Sequence, residues 1–500
     1  MADQIYDLLV IGGGINGAGI AADAAMRGLS VFLAEAEDLG GATSSASSKL
    51  IHGGLRYLEH FEFRLVREAL GEREVLLAKA PHIIRPMRFV LPQDPGMRSE
   101  LMMRAGLFLY DHLATRKSLG ASHAIDLRRD PAGAPLKHEL TRGFTYWDCA
   151  VDDSRLVVLN AIGAREAGAR IETQARVTGL KIENGIWTAA LNNSARSIAA
   201  RAVVNAAGPW IANVAALAES LQHAPRPTVR LVKGSHIVVP RVSGAGDAYT
   251  FQNRDGRIVF ALPYEQTFTL IGTTEEAFAG NPRNAAPSRE EEDYLLEAAN
   301  RFFRHPLTRG DIVWSFAGVR PLDDEDGNEN ASAVSRDYRL EFHATNTPPL
   351  LHVVGGKITT YRKLAEAALK FFESYFPKMR GGSTRTSPLP GGNLGGRTFD
   401  QWFEAFAREN SRFDALFLRQ LARRHGTRAS KIIAGAASAK DLGEDFGGGL
   451  TAREVAYLKS EEWAKTAGDV LWRRTKIGLH LAPDERTRVA GRVQACLDKS

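Results

Sequence analysis

Hydrophobic positions fall into short unbroken runs near the N-terminus and into alternating runs further on, and the two patterns predict different elements. Ile5 to Ile11 is a brief apolar run suited to a strand buried on both faces. It feeds Gly12-Gly13-Gly14-Ile15-Asn16-Gly17 and an alanine-rich segment to Arg27, which predicts strand, glycine turn and helix. A second strand, Leu29 to Ala34, ends in Glu35. Asp152 to Gly168 reads as a helix, followed by short alternating strands with a turn at Asn184-Gly185, a β-meander. Ala202 to Asn205 is again a buried strand, running into the small residues Ala206, Ala207 and Gly208 before Pro209-Trp210. A third such return is Leu350 to Lys357, where a strand reaches Gly355-Gly356 and a helix begins near Thr359 or Thr360. Between these returns, Arg230 to Pro240, Arg257 to Pro263 and Phe268 to Thr273 predict an inserted antiparallel sheet.

The pattern changes after Phe376, where a stretch rich in Gly, Pro, Ser and Thr reads as a linker. Beyond it the chain is mostly helical: Ala415 to Arg424 is one helix, and Thr451 with Glu454 three residues later fits a capping box opening another. Five hundred residues imply two or three domains. The two cysteines, Cys149 and Cys496, exclude a disulfide framework and a cysteine-based zinc cluster; no metal site is expected. No secretion signal or membrane-spanning stretch is read, and a formal charge of +6 permits anionic partners without choosing among them.

The glycine turn carries the first chemistry. Gly12 makes the turn, Gly14 lets the backbone reach a pyrophosphate, and Gly17 permits close helix packing, while Glu35 stands where an acid accepts ribose hydroxyls. Directly behind comes Ala42 to Glu59, "ATSSASSKLIHGGLRYLE". Ser44, Ser45, Ala46, Ser47 and Ser48 are too small to fill a core and instead let backbone and hydroxyls approach a bulky polar ligand. Lys49, His52, Arg56 and Tyr57 crowd around Gly53-Gly54 with no acid before Glu59, a donor set suited to a phosphorylated substrate beside a cofactor.

"GGGINGAGIAADAAMRGLSV", "ATSSASSKLIHGGLRYLE", "NAAGPW", "KGSHIVVPR", "GVRPL", "SRDYRL" and "GGKITTYRKLAE", with "DLGEDFG" and "GDVLWRRTK" in the tail, closely resemble the FAD-dependent glycerol-3-phosphate dehydrogenases of aerobic bacteria over nearly the whole chain. The resemblance implies an α/β fold: an FAD-binding Rossmann-like domain of the glutathione-reductase type, an inserted antiparallel substrate domain and a C-terminal helical domain. The expected division assigns residues 1–80, 150–215 and 345–378 to the FAD domain and 81–149 and 216–344 to the substrate cap. Residues 379–397 form the linker and 398–500 the helical domain. It further implies oxidation of glycerol 3-phosphate to dihydroxyacetone phosphate, noncovalent FAD, electron delivery to membrane quinone, a peripheral place on the cytoplasmic face of the inner membrane, and a homodimer.

Beside those roles, Arg56, Tyr57, Arg257, Arg320, Arg336 and Lys357 are the candidates for the substrate's anionic end. Any one arginine alone reads as a solvated charge, so the cluster carries the expectation. The cofactor candidates are Gly12, Gly14, Asn16, Gly17, Glu35, Thr43, Ser44, Ser45, Ser48, Lys49, Ala207, Gly208, Gly355, Gly356 and Thr359. Hydride removal needs a base for the alcohol proton; His236 is the first candidate and His52 the alternative, with Arg320 beside them. Met97 to Lys117 reads either as a buried helix with basic ends or as a monotopic anchor on an anionic lipid surface. Two other functions fit less well: a glycerol-3-phosphate oxidase using dioxygen, and a flavin-containing RNA-binding protein. No stacking aromatics interleave a basic stripe, so no nucleic acid is expected.

Overall fold

The structure, a computed structural model, describes residues 4–94, 99–192, 196–218, 227–242, 246–323 and 337–499. Unbroken apolar runs become the parallel core of the first sheet. Six of its eight strands run in the order Tyr338–His343, Leu350–Gly355, Ser197–Asn205, Ile5–Ile11, Val31–Ala34 and Arg170–Glu172, parallel along this path except for the first, antiparallel edge; the other two join through Ser197–Asn205 as an antiparallel meander. The second strand starts at Val31, two residues later than the apolar pattern alone predicts. Helix Ile15–Met26 covers one face together with Asp153–Glu166 and Tyr361–Lys370. Gly19 makes that packing possible, since a Cβ there would stand 2.6 Å from the Tyr361 ring. The meander Val177–Glu183 and Ile186–Leu191 covers the other face and buries Trp187 completely.

Alternating runs build the second, ten-stranded sheet. Strands Val229–Pro240, Phe268–Gly272, Ile258–Tyr264 and Ala248–Gln252 run antiparallel and continue through Ile84–Pro92 to Arg142–Val151 and Leu50–Ile51. Trp314–Asp323 pairs with Val229–Pro240 along ten residue pairs. The two sheets face each other across a cleft, with Ala42 to Ser48 running between them.

The C-terminal helices Phe399–Glu409, Ala415–His425, Ala452–Glu462 and Pro483–Lys499 enclose a separate core around Trp402, Phe406, Leu421, Leu458 and Val493. Residues 379–397 differ from a free linker: Leu389 and Leu394 are buried, and the Arg380 and Leu389 amides donate to the Arg27 and Lys79 carbonyls. The helix after Thr451 departs from the expected capping box. Thr451 accepts from the Glu454 amide, but the Glu454 carboxylate is taken by Arg424 and His425. A buried ion pair here outcompetes the local cap.

Candidate active site

The cleft's first wall is backbone. Gly12 has φ +108°, and a Cβ there would lie 2.6 Å from the Ala206 carbonyl oxygen; one on Gly17 would lie 1.9 Å from that of Gly12. Helix Ile15–Met26 begins against this turn, but its first donor is already engaged, because the Ser44 hydroxyl accepts from the Ile15 amide at 3.0 Å. Ser44 therefore caps the helix from 29 residues away, a role for the serine run that spacing did not reveal. Glu35 closes the far end, accepting from the Gly13 amide at 2.6 Å and the Glu37 amide at 2.8 Å. Its withdrawal from water raises the carboxyl above its ordinary range, and the two amides pull it down only in part.

Ala207 and Gly208 continue this wall, and Thr43, Ser44 and Ser48 form its floor. The third return completes it: Gly355 and Gly356 have φ of +72° and +96°, and the Gly355 carbonyl accepts from Asn16 Nδ2 at 3.0 Å. Asn16 Oδ1 is buried without a partner among the described residues and faces the cleft. Ser45 and Lys49 do not line it. Ser45 bonds back to the Ala42 carbonyl, and Lys49 Nζ is drawn 2.9 Å from Asp153 Oδ2, so the expectation that both touch the cofactor is corrected. A buried ammonium takes the nearest buried carboxylate.

At the other end side chains take over. Gly54 has φ +75° and folds the chain so that Tyr57 lies over it; a Cβ on Gly54 would meet that ring at 2.3 Å. The turn is held from behind, where the Gly53 amide donates to Tyr110 Oη at 2.8 Å and Tyr110 donates to Asp148 at 2.7 Å. Arg73 pairs with the same carboxylate. Lys357 Nζ stands 3.8 Å over the Tyr57 ring. Arg320 reaches in from Trp314–Asp323, with Nη2 3.6 Å from Glu275 Oε1, and Arg56 Nη1 lies 4.0 Å from Glu275 Oε2. Glu275, which sequence reasoning missed, is thus the shared counter-ion of the two arginines. Nothing local marked it: it lies two residues past Thr273, a cleft residue that was not singled out, and itself lines an adjoining cavity.

His236 and His52 both line the cleft between the two ends. His236 Nε2 is 3.0 Å from Ser48 Oγ, and its ring stacks on Phe316 at 4.9 Å. A Cβ at Gly272 would strike that imidazole at 2.1 Å, so glycine is required there. Burial first, then the charges of Lys49 and Arg320, depress His236 to about 3. His52 is tied by its backbone to Thr359, whose hydroxyl lies 3.3 Å from the His52 amide. Arg257 belongs elsewhere: it pairs with Asp255 at 2.7 Å, stacks on Tyr294, and lines an adjoining cavity rather than the cleft. Arg336 lies outside the described residues.

That adjoining cavity, about 840 Å³, shares His52, Tyr57, Phe260 and Thr273 with the cleft; Arg56, Arg257 and Glu275 line it too, and Leu58, Phe61, Met102, Met103, Leu107 and Leu109 give it an apolar side. Helix Glu100–His112 forms its outer side with Leu101 78% and Phe108 62% exposed, which is not the burial of a core helix. Among the described residues no helix is long and apolar enough to cross a membrane.

Residues 7–362 match the family described as FAD dependent oxidoreductase, and residues 382–499 the C-terminal domain of alpha-glycerophosphate oxidase. The chain is 52% identical to a glycerol-3-phosphate dehydrogenase of Pseudomonas aeruginosa, covering 98% of this chain and 96% of that one. It is 50% identical to a D-erythritol 1-phosphate dehydrogenase of Brucella abortus, covering 97% and 96%. The glycerol-3-phosphate dehydrogenase of Bacillus halodurans, solved in complex with FAD, superposes with a TM-score of 0.74 at 27% identity, covering 100% and 96%.

Proposed function

The chain belongs to the FAD-dependent oxidoreductases, among the glycerol-3-phosphate dehydrogenases, and from that premise we propose that it oxidises sn-glycerol 3-phosphate to dihydroxyacetone phosphate and delivers the electrons to membrane quinone. One arrangement carries this reading: a glycine-walled cofactor cleft runs into Arg320 and Lys357, and Arg56 reaches the same Glu275 carboxylate from the adjoining cavity. Bound FAD supplies a hydride acceptor.

The chain's own residues do the rest. Glu35 suits the adenosine hydroxyls, the Gly12 to Gly17 turn the pyrophosphate, and the unpartnered Oδ1 of Asn16 fits a donor on the cofactor. Arg56 and Arg320 hold the phosphate of the substrate, exchanging Glu275 for it, while Lys357 is kept at the site by the Tyr57 face. That anchoring turns the carbinol carbon toward the cofactor, where orientation supplies much of the rate. His236, neutral and dry, takes the alcohol proton on a ring nitrogen, with the Ser48 hydroxyl fixing the ring.

The apolar side of the adjoining cavity and the exposed helix Glu100–His112 support a quinone acceptor and a peripheral place on an anionic lipid surface, with Leu101, Met102 and Phe108 entering the interface. The name of the C-terminal domain's family favours a second reading, a dioxygen-using oxidase. Anaerobic mixing separates them. Glycerol 3-phosphate should bleach the flavin band, and a short-chain quinone should restore it far faster than dioxygen does. Equal reoxidation by dioxygen overturns the quinone reading, and bleaching by erythritol 1-phosphate alone overturns the substrate.

A further inference from the structure

The segment "GDVLWRRTK" and the helical domain around it have no part in the scheme above. Asp469–Arg474 is wound as a π-helix, which presents the adjacent Arg473 and Arg474 toward the FAD domain. Both reach Asp38, a carboxylate only 7% exposed in the loop that follows Glu35. Arg473 Nε donates to Asp38 Oδ2 at 2.6 Å, and Arg474 is bidentate, Nη1 to Oδ2 at 2.8 Å and Nη2 to Oδ1 at 2.7 Å. Arg474 is fully buried and also donates to the Glu462 carbonyl at 2.7 Å. Burial alone would raise the Asp38 carboxyl, yet the two guanidinium groups hold it below the ordinary range.

Asp38 starts a tight loop that lines the cofactor cleft. Its carbonyl accepts from the Gly41 amide, the Gly40 amide donates to the Gly13 carbonyl at 3.0 Å, and Gly40, Gly41, Ala42 and Thr43 all face the cleft. The far end of the same run is clamped as well. Lys49 and Ser47 bond to Asp153, and the neighbouring Asp152 and Ser154 receive Lys476 at 2.7 and 2.9 Å. Three cations within four residues of the helical domain therefore hold one end of the Asp38–Lys49 loop directly, at Asp38, and the other indirectly, through the residues on either side of Asp153.

We propose that Arg473, Arg474 and Lys476 are positioning residues for the cofactor: the ion pairs they make hold the Asp38–Lys49 loop in its cofactor-binding shape, so these particular pairs, rather than docking of the helical domain at large, are thermodynamically linked to FAD retention. This rests on the cleft being the FAD site. Linkage is reciprocal, so FAD must also tighten the domain.

The test uses full-length protein. Arg473→Gln, at a partly exposed position, removes one strut; Arg165→Gln breaks a different interdomain pair, Arg165 to Glu461 at 2.8 Å, that does not touch Asp38. FAD affinity is read by titrating apoprotein, and amide exchange is followed in Ala452–Glu462 and Pro483–Lys499 with and without FAD. The expected result is about tenfold weaker FAD binding in Arg473→Gln, wild-type affinity in Arg165→Gln, and FAD-induced slowing of exchange that is lost in Arg473→Gln. Equal affinity in Arg473→Gln and wild-type protein, or equal weakening in both variants, overturns the proposal while leaving FAD binding itself intact.

Discussion

The two ends of the cleft are built by different means. At the cofactor end the wall is backbone and small residues contributed mostly by one stretch, Ile11 to Ser48, whose shape is forced by contacts such as Gly17 against the Gly12 carbonyl. At the anion end the wall is long charged side chains from four separate segments, carrying Arg56, Glu275, Arg320 and Lys357, with Arg320 3.6 Å and Arg56 4.0 Å from the central carboxylate. The first end is preformed and intolerant of added atoms. The second is an electrostatic balance that substitution can tilt either way.

The rigid end should fail outright. Gly17→Ala places a methyl group 1.9 Å from a backbone oxygen that has no freedom to withdraw. Overpacking of this kind costs about 1–3 kcal/mol where side chains can yield, and backbone yields less. The expected outcome is protein purified without flavin and without turnover, checked by its absorbance spectrum and by FAD titration. Wild-type flavin content in that variant would break the comparison at its strongest point.

This contrast also sets what could be read from the chain. The strand, turn and helix of Ile5 to Met26 and the acid at Glu35 are legible because their partners lie within about thirty residues and the physics is local. The alternating strands of the cap are legible for the same reason. Glu275 is not, since a carboxylate after a strand looks like any surface acid until the fold brings Arg56 and Arg320 to it from either side. Lys49 misleads for the opposite reason: its sequence neighbours face the cleft, but Asp153, 104 residues on, turns it inward. The packed course of residues 379–397 is hidden too, because glycine and proline mark irregular backbone without saying whether it is bound.

Between the two ends sits His236, whose position predicts a pH signature. A histidine depressed to about 3 is neutral across the physiological range and loses its proton-accepting form only as pH falls through the lowered value. The rate of flavin reduction at saturating substrate should therefore stay level down through the ordinary histidine range near 6.5 and decline only at lower pH. His236→Gln should slow that step by roughly 10²–10³ and abolish the acid limb. Stopped-flow reduction across pH checks both. A limb at or above 6.5 that persists in the variant removes His236 from proton transfer and passes the role to His52.

The smallest effect is the most discriminating, because it has the unexpected sign. Glu275 lies between two arginines that the substrate phosphate is proposed to recruit, so the carboxylate competes with the ligand. Removing its charge leaves the side-chain volume and strengthens the positive field, so Glu275→Gln should lower KM for glycerol 3-phosphate about threefold to tenfold, roughly 1 kcal/mol for a partly screened pair. The salt dependence of KM should steepen with it. Arg320→Ala should act in the other direction, lowering kcat/KM by roughly 10²–10³ as a charged partner is lost. Steady-state kinetics on the two variants decides the matter. If Glu275→Gln raises KM as Arg320→Ala does, the carboxylate is a scaffold that aims the arginines, and the anion end is as preformed as the cofactor end.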